Sequence, residues 1–288
     1  MAGIFKSESG RKKVLELYAK FLDNWPVPNE RRRVATRQGE TFVLVCGPEG
    51  APPLLLIHGA LGNAAMWLFD VQAWAKDFRV YVVDVIGEPG LSASSRPSLD
   101  IEVYADWLED VIKGLGLRKM FIAGESLGGW LALAYATRRP EAVARLALIV
   151  PGGLGNQFKF LYTILPLMLL GPWGARKAGE LIYGKSRPAR SGAARDFFNF
   201  IAIINKNCRP RMEKLPLFSD EYLKRLTMPV FAILGGKDVL VNSDVTKRRL
   251  ERLLPDVEID YRPDSRHVIH NRAVPILAFL KGERPVTR

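Results

Sequence analysis

A chain of 288 residues, 48% hydrophobic and 25% charged, has the composition of a soluble globular protein with one substantial core and room for an insertion. Its formal charge is +12, but the cations are dispersed among apolar residues and no nucleic-acid motif accompanies them; a solvated basic face is expected, and nucleic acid is not an expected partner. The two cysteines, Cys46 and Cys208, match no metal, redox or disulfide spacing, so no metal site is expected.

Met1 to Ser9 lacks the apolar centre of a signal peptide, and a cytoplasmic location is the expectation. Val14, Leu15, Leu17, Tyr18, Phe21 and Leu22 recur at helical spacing, so residues 1–30 read as a helix and lead-in packed on the body. Arg33 to Thr36 and Thr41 to Cys46, joined across Gln38-Gly39, predict an opening hairpin, with Arg31-Arg32-Arg33 bordering its first strand. Short apolar runs predict strands at 53–58, 79–84, 119–124 and 144–150, separated by helices near 64–75, 101–115 and 127–138. This alternation implies an α/β fold, a mainly parallel twisted sheet flanked by helices on both faces. It breaks at Pro151-Gly152-Gly153 and resumes at Met228-Pro229. Residues 31–152 and 227–288 therefore read as the core, and 153–226 as a helical cap inserted after the sixth strand, with helical patches at 175–183 and 193–205. From Pro151 to Leu226 there are 13 Lys and Arg against 5 Asp and Glu, an excess of 8 that supplies most of the net charge. Phe158 to Leu170 is the most apolar segment; it is too short to span a membrane, Lys159 and Pro166 interrupt it, and a peripheral membrane contact stays open.

The most informative residues are Gly124-Glu125-Ser126-Leu127-Gly128, a G-x-S-x-G pentapeptide between an apolar strand and a helical stretch. Strand, tight turn and helix can hold a serine at a sharp bend with its hydroxyl exposed above the sheet. Pro229 to Leu234 runs into Gly235-Gly236-Lys237-Asp238, an acid at a strand end, and the strand Val257 to Tyr261 precedes a loop with His267. Serine needs a base to become nucleophilic near neutral pH, and imidazole suits that task. Three histidines are available. His58 ends a strand and reads as loop-orienting; His267 is the expected base, with His270 one turn away as the alternative. Asp238 would orient the imidazole, ahead of Asp244, which falls at the start of the next helix. The oxyanion donors are expected to be the backbone N–H groups of Leu127 and of Ala60 in His58-Gly59-Ala60-Leu61-Gly62, with Leu61 as fallback. Glu125 reads as supporting, and Asp84, Gly87 and Gly90 as loop architecture. Leu61, Phe158, Leu161, Leu165, Trp173 and Phe197 are candidates to line a substrate pocket, though packing of the cap explains them as well.

The order Ser126, Asp238, His267 matches the α/β-hydrolase-fold serine hydrolases, and the chain resembles them over essentially its whole length. Within them it resembles the naproxen-esterase type of bacterial carboxylesterase, through Trp25-Pro26-Val27, Gly47-Pro48-Glu49-Gly50-Ala51-Pro52-Pro53, His58-Gly59-Ala60-Leu61, Met66-Trp67 and Val83-Asp84-Val85-Ile86-Gly87. Two positions depart from that type: Asp238 stands where a Glu is usual, and Arg266 precedes His267 where a Gly is usual, implying a differently shaped histidine loop. The resemblance implies hydrolysis of small to medium carboxylic esters, without cofactor, through an acyl-enzyme on Ser126. Carbon–carbon bond hydrolase, lactonase, thioesterase and acyltransferase activities can use the same triad, and the fold can also serve as a non-catalytic ligand-binding module. The partner is then a small-molecule ester, with no integral membrane segment; monomer and homodimer are both open.

Overall fold

The structure, a computed structural model, describes residues 3–156, 158–184 and 192–284, with backbone only at 158–161 and 168. Ser7 caps the first helix, α1 (Glu8–Asp23), by accepting the Gly10 N–H, and α1 buries Val14, Tyr18 and Leu22 one turn apart. It leads into β1 (Asn29–Thr36) and β2 (Gly39–Cys46), an antiparallel pair. The arginine run lies inside β1 rather than bordering it. Arg31, Arg32 and Arg33 pair with Asp23, Glu30 and Glu40 along an outer strand, where charges discourage pairing with other chains.

The alternation that follows is β3 (Pro53–Ile57), β4 (Arg79–Val83), α3 (Ile101–Gly114), β5 (Met120–Glu125), α4 (Leu127–Arg138) and β6 (Val143–Ile149). The helix expected near 64–75 is instead a 3-10 turn at Ala64–Trp67 and one turn of α-helix, α2 (Val71–Trp74). Side chains from elsewhere interrupt it: Asp84 accepts the Ala64 N–H at 2.8 Å, and Arg272 holds Asp70 at 3.0 Å. After β6 come α5 (Phe158–Met168), α6 (Gly171–Tyr183), α7 (Ala193–Asn207) and the short α8 (Asp220–Leu223). The chain returns through β7 (Val230–Gly235), α9 (Ser243–Leu253), β8 (Glu258–Arg262) and α10 (Ala273–Lys281).

The eight strands form one sheet in the order β1-β2-β4-β3-β5-β6-β7-β8, antiparallel through β2/β4 and parallel from there on. The central strands are continuous apolar runs because helices cover both faces. One core layer lies between the sheet and α3, α4 and α9; the other lies beneath α1, α2, α7 and α10. α7 belongs to the second layer because Phe200 packs on Tyr18 and Phe21 of α1, while backbone bonds join Lys6 to Asn207 and Arg209 to Ile4. The leading helix thus anchors part of the segment between β6 and β7.

The sheet brings the C-terminal ends of β3, β5 and β7 to one edge of the molecule. Close packing there depends on Gly128, where an added Cβ would sit 2.0 Å from the Ile57 carbonyl oxygen. Gly128→Ala is expected to lower stability by about 2–4 kcal/mol or more, because backbone would have to move. Urea unfolding measures this; a midpoint equal to wild type would contradict the packing.

Candidate active site

Ser126 sits between β5 and α4 with φ +54° and ψ −110°, left-handed backbone that a non-glycine residue adopts at a cost of about 1–3 kcal/mol. Its neighbours hold it there. Its N–H donates to the Ile149 carbonyl at 2.9 Å, and its carbonyl accepts from Trp130 at 3.0 Å and Gly152 at 3.1 Å.

The bend aims the side chain at the loop after β8. His267 Nε2 lies 3.0 Å from Ser126 Oγ, and His267 Nδ1 lies 2.8 Å from Asp238 Oδ2. Asp238 follows β7, buried, and its other oxygen accepts the Leu240 and Val241 N–H groups at 2.7 and 3.0 Å. An ionised carboxylate only accepts, so the imidazole proton lies on Nδ1 and the Nε2 lone pair faces the serine. Burial disfavours the charged imidazole, but the Asp238 carboxylate and then Glu125 outweigh it, leaving the His267 pKa above the ordinary histidine value. The loop can approach β7 because Gly235 has no side chain: a Cβ there would lie 2.3 Å from the Arg266 carbonyl oxygen.

The alternatives from sequence lie elsewhere. His270 is exposed, its carbonyl accepting from Arg262 at 2.5 Å, and Asp244 is exposed and bonded to the Tyr261 hydroxyl at 2.6 Å. His58 is buried between strand ends. Its Nε2 accepts the Val85 N–H at 2.9 Å, so Nδ1 donates to the Gly59 carbonyl at 2.8 Å; burial pushes its pKa down to about 4 and keeps it neutral.

The loop after β3 runs beside the serine, since a Cβ on Gly59 would be 3.4 Å from Ser126 Cβ. Leu61 has φ +55° and its N–H donates to Glu88 Oε2 at 2.7 Å, which occupies the fallback donor. The N–H groups of Ala60 and Leu127 carry no hydrogen bond among the described residues; Leu127 is the first residue of α4, where helix geometry leaves the N–H free. Glu88 is buried, and that burial raises its pKa to about 7 despite the Leu61 N–H, Arg96 and Arg211.

Of the pocket candidates, Leu61 and Leu165 are half-buried, and Phe197 packs on Phe21, Phe69 and Phe198. Trp173 is largely exposed. The side chains of Phe158 and Leu161 lie outside the described residues.

Sequence reasoning missed several supports of the site. Arg272, five residues beyond His267, is buried and bridges Asp70 at 3.0 Å and Glu125 at 2.8 Å, its guanidinium 4.7 Å from the centre of the Trp67 ring. It ties the serine bend to the histidine loop. Tyr18 of α1 donates to Asp84 at 2.8 Å, linking the leading helix to the loops after β3 and β4. Leu215 lies against Gly152 beside the serine bend. Arg266, the residue out of pattern, reaches across to donate to the Leu181 carbonyl of α6 at 3.0 Å. The periodicity of an arginine or glutamate carries no sign of a partner tens of residues away, so only the fold could find these contacts.

An eight-stranded, mostly parallel sheet between helices, with a strained serine at its strand-to-helix bend, is the α/β-hydrolase fold, and this chain adopts it. Residues 52–179 match the family described as alpha/beta hydrolase fold. The chain is similar to carboxylesterase YbfK of Bacillus subtilis (strain 168), with 29% identity across 91% of this chain and 89% of that protein. It is equally similar to the carboxylesterase nap of the same strain, at 29% identity across 88% of this chain and 86% of the relative. Among solved structures, carboxylesterase CesB (YbfK) from Bacillus subtilis superposes with a TM-score of 0.81 at 27% identity, covering 95% of this chain and 99% of that one. Naproxen esterase (carboxylesterase NP) from Bacillus subtilis superposes with a TM-score of 0.80 at 26% identity, covering 96% of this chain and 99% of its own.

Proposed function

We propose that this ester hydrolase is a serine carboxylesterase acting through an acyl-enzyme on Ser126, with His267 as general base and Asp238 as its orienting acid. The observation that carries the reading is the continuous chain from Asp238 Oδ2 through His267 to Ser126 Oγ, with spacings of 2.8 and 3.0 Å. Nε2 takes the hydroxyl proton as Oγ attacks the ester carbonyl, and the imidazolium that forms is stabilised by Asp238. The negative charge moving onto the carbonyl oxygen meets the Ala60 and Leu127 N–H groups, which need no reorganisation. His267 then returns the proton to the leaving alcohol, and water repeats the sequence on the acyl-enzyme. Leu61 and Leu165 are proposed to border the acyl group, and residues 153–226 to act as the cap that shapes its site. The names of the relatives support a carboxylic ester as the substrate.

The test compares His267→Ala with His270→Ala on p-nitrophenyl butyrate. The first is expected to lose about 10³-fold or more in kcat, and the second to stay within about 2-fold of wild type. Loss in the second with retention in the first would refute the assignment.

The pH profile gives a separate check. The base must be neutral, so kcat/KM falls as pH drops through the His267 pKa, with a midpoint above the usual value of about 6.5. Asp238→Asn removes the first of the two charges that raise this pKa, so the midpoint moves down and kcat falls by about 10⁴-fold. The same shift affects stability in the opposite sense. The protonated pair contributes below the ordinary histidine pKa, and that contribution disappears as pH rises through the raised value.

A further inference from the structure

The sequence of α5 is almost wholly apolar, carrying one charged residue, Lys159. Such a helix ordinarily requires cover all round. Here α5 and α6 pack chiefly on each other, burying Ile164 while Tyr162 stays 75% exposed. The exposure continues into the turn between them, where Leu169 and Leu170 are 83% and 55% exposed, and onto the first turn of α6, where Trp173 is 53% exposed. The chain has six tryptophans, and the other five are buried.

The sequence of this stretch carries charge of mainly one sign. Between residues 158 and 195 the sequence holds seven Lys or Arg and a single acidic residue, Glu180. Arg176 and Lys177, one turn beyond Trp173, share that glutamate at 3.3 and 3.0 Å, so the described part of the turn remains cationic.

We propose that the tip of the α5–α6 hairpin docks on anionic membrane surfaces, with Leu169, Leu170 and Trp173 entering the acyl-chain boundary and Arg176 and Lys177 meeting lipid headgroups. Two features favour a lipid surface over a protein. Aliphatic side chains below a tryptophan or tyrosine suit the layered polarity of a bilayer interface. The excess of positive charge matches acidic phospholipids. Docking is peripheral: among the described residues no helix is long and apolar enough to cross a membrane. Arg266 joins α6 to the loop carrying His267, so the docked hairpin is physically continuous with the candidate site. Membrane contact does not require the esterase reading, and its binding is read without turnover.

The full-length protein is mixed with vesicles of phosphatidylcholine alone, or with phosphatidylglycerol at about a third of the lipid. Tryptophan emission, acrylamide quenching and co-sedimentation are followed. Because Trp173 is the exposed tryptophan, binding is expected to shift emission to the blue and shield it from acrylamide with the anionic vesicles. About 0.5 M NaCl should weaken the association at least several-fold. The double variant Leu169→Glu with Leu170→Glu should bind at least about 10-fold more weakly while hydrolysing p-nitrophenyl butyrate in solution within about 2-fold of wild type. Trp173→Phe should abolish the emission shift while still sedimenting with anionic vesicles. Failure of wild type to bind anionic vesicles overturns the proposal, as does equal binding by the double-glutamate variant. Self-association of wild type, lost in that variant and unaccompanied by vesicle binding, overturns it in favour of a second copy as occupant. An inactive wild type that still binds vesicles would count against the esterase reading alone.

Discussion

Ser126→Ala is expected to lower turnover of p-nitrophenyl butyrate by about 10⁴-fold or more while leaving the fold intact. The magnitude follows from the proposed chemistry: without Oγ no acyl-enzyme can form, and the base and oxyanion donors are left to act on water alone. Alanine keeps the Cβ, so the packing of the bend around Gly59, Ile149 and Gly152 is disturbed little. A fluorophosphonate probe provides a second readout, since it labels a serine only when a base and oxyanion donors activate it. Wild type is expected to label and Ser126→Ala is not. An unlabelled, folded wild type would favour the ligand-binding alternative. Labelling that survives in the variant would place the nucleophile elsewhere.

Arg272→Met is expected to destabilise the protein by about 3–5 kcal/mol at neutral pH, more than any exposed ion pair could contribute. Methionine fills much of the same volume, but Asp70 and Glu125 would be left in a buried site without their cation. Burial already holds the Asp70 carboxyl above its ordinary pKa; Arg272 pulls it back down and Glu125 adds to the rise. Without the guanidinium it should take up a proton more readily. Its folded-state pKa would then lie further above the unfolded value, so the cost relative to wild type should shrink as pH falls. Urea denaturation at pH 7 and at about pH 5 tests both points. Turnover should fall too, because Glu125 adjoins the nucleophile. A loss of stability independent of pH would show that the arginine contributes packing rather than charge.

The fold was legible to the extent that it rests on local pattern. The apolar runs of β3 to β7 are buried on both faces and so announce themselves without partners, and the G-x-S-x-G bend carries its own steric signature. The 64–75 segment was misread for the converse reason. Its apolar spacing suits a helix, but Asp84 and Arg272 capture the Ala64 N–H and the Asp70 carboxylate and divide it. The arginine run was misplaced because charge is common beside strands, and only pairing with β2 shows that it lies within one.

For the candidate site, residue types and their order were readable because each follows a strand end, and successive parallel strands deliver their C-terminal ends to one edge. Sequence by itself determined the sheet, the serine at its bend, and the acid and histidine able to meet there. Tertiary structure decided which histidine faces Ser126, that Leu61 is bonded to Glu88, and that Arg272 binds the bend to the histidine loop. The physical reason is range. Periodicity reports what a residue's own strand or helix buries, whereas a hydrogen bond between side chains 141 positions apart exists only once the sheet has folded.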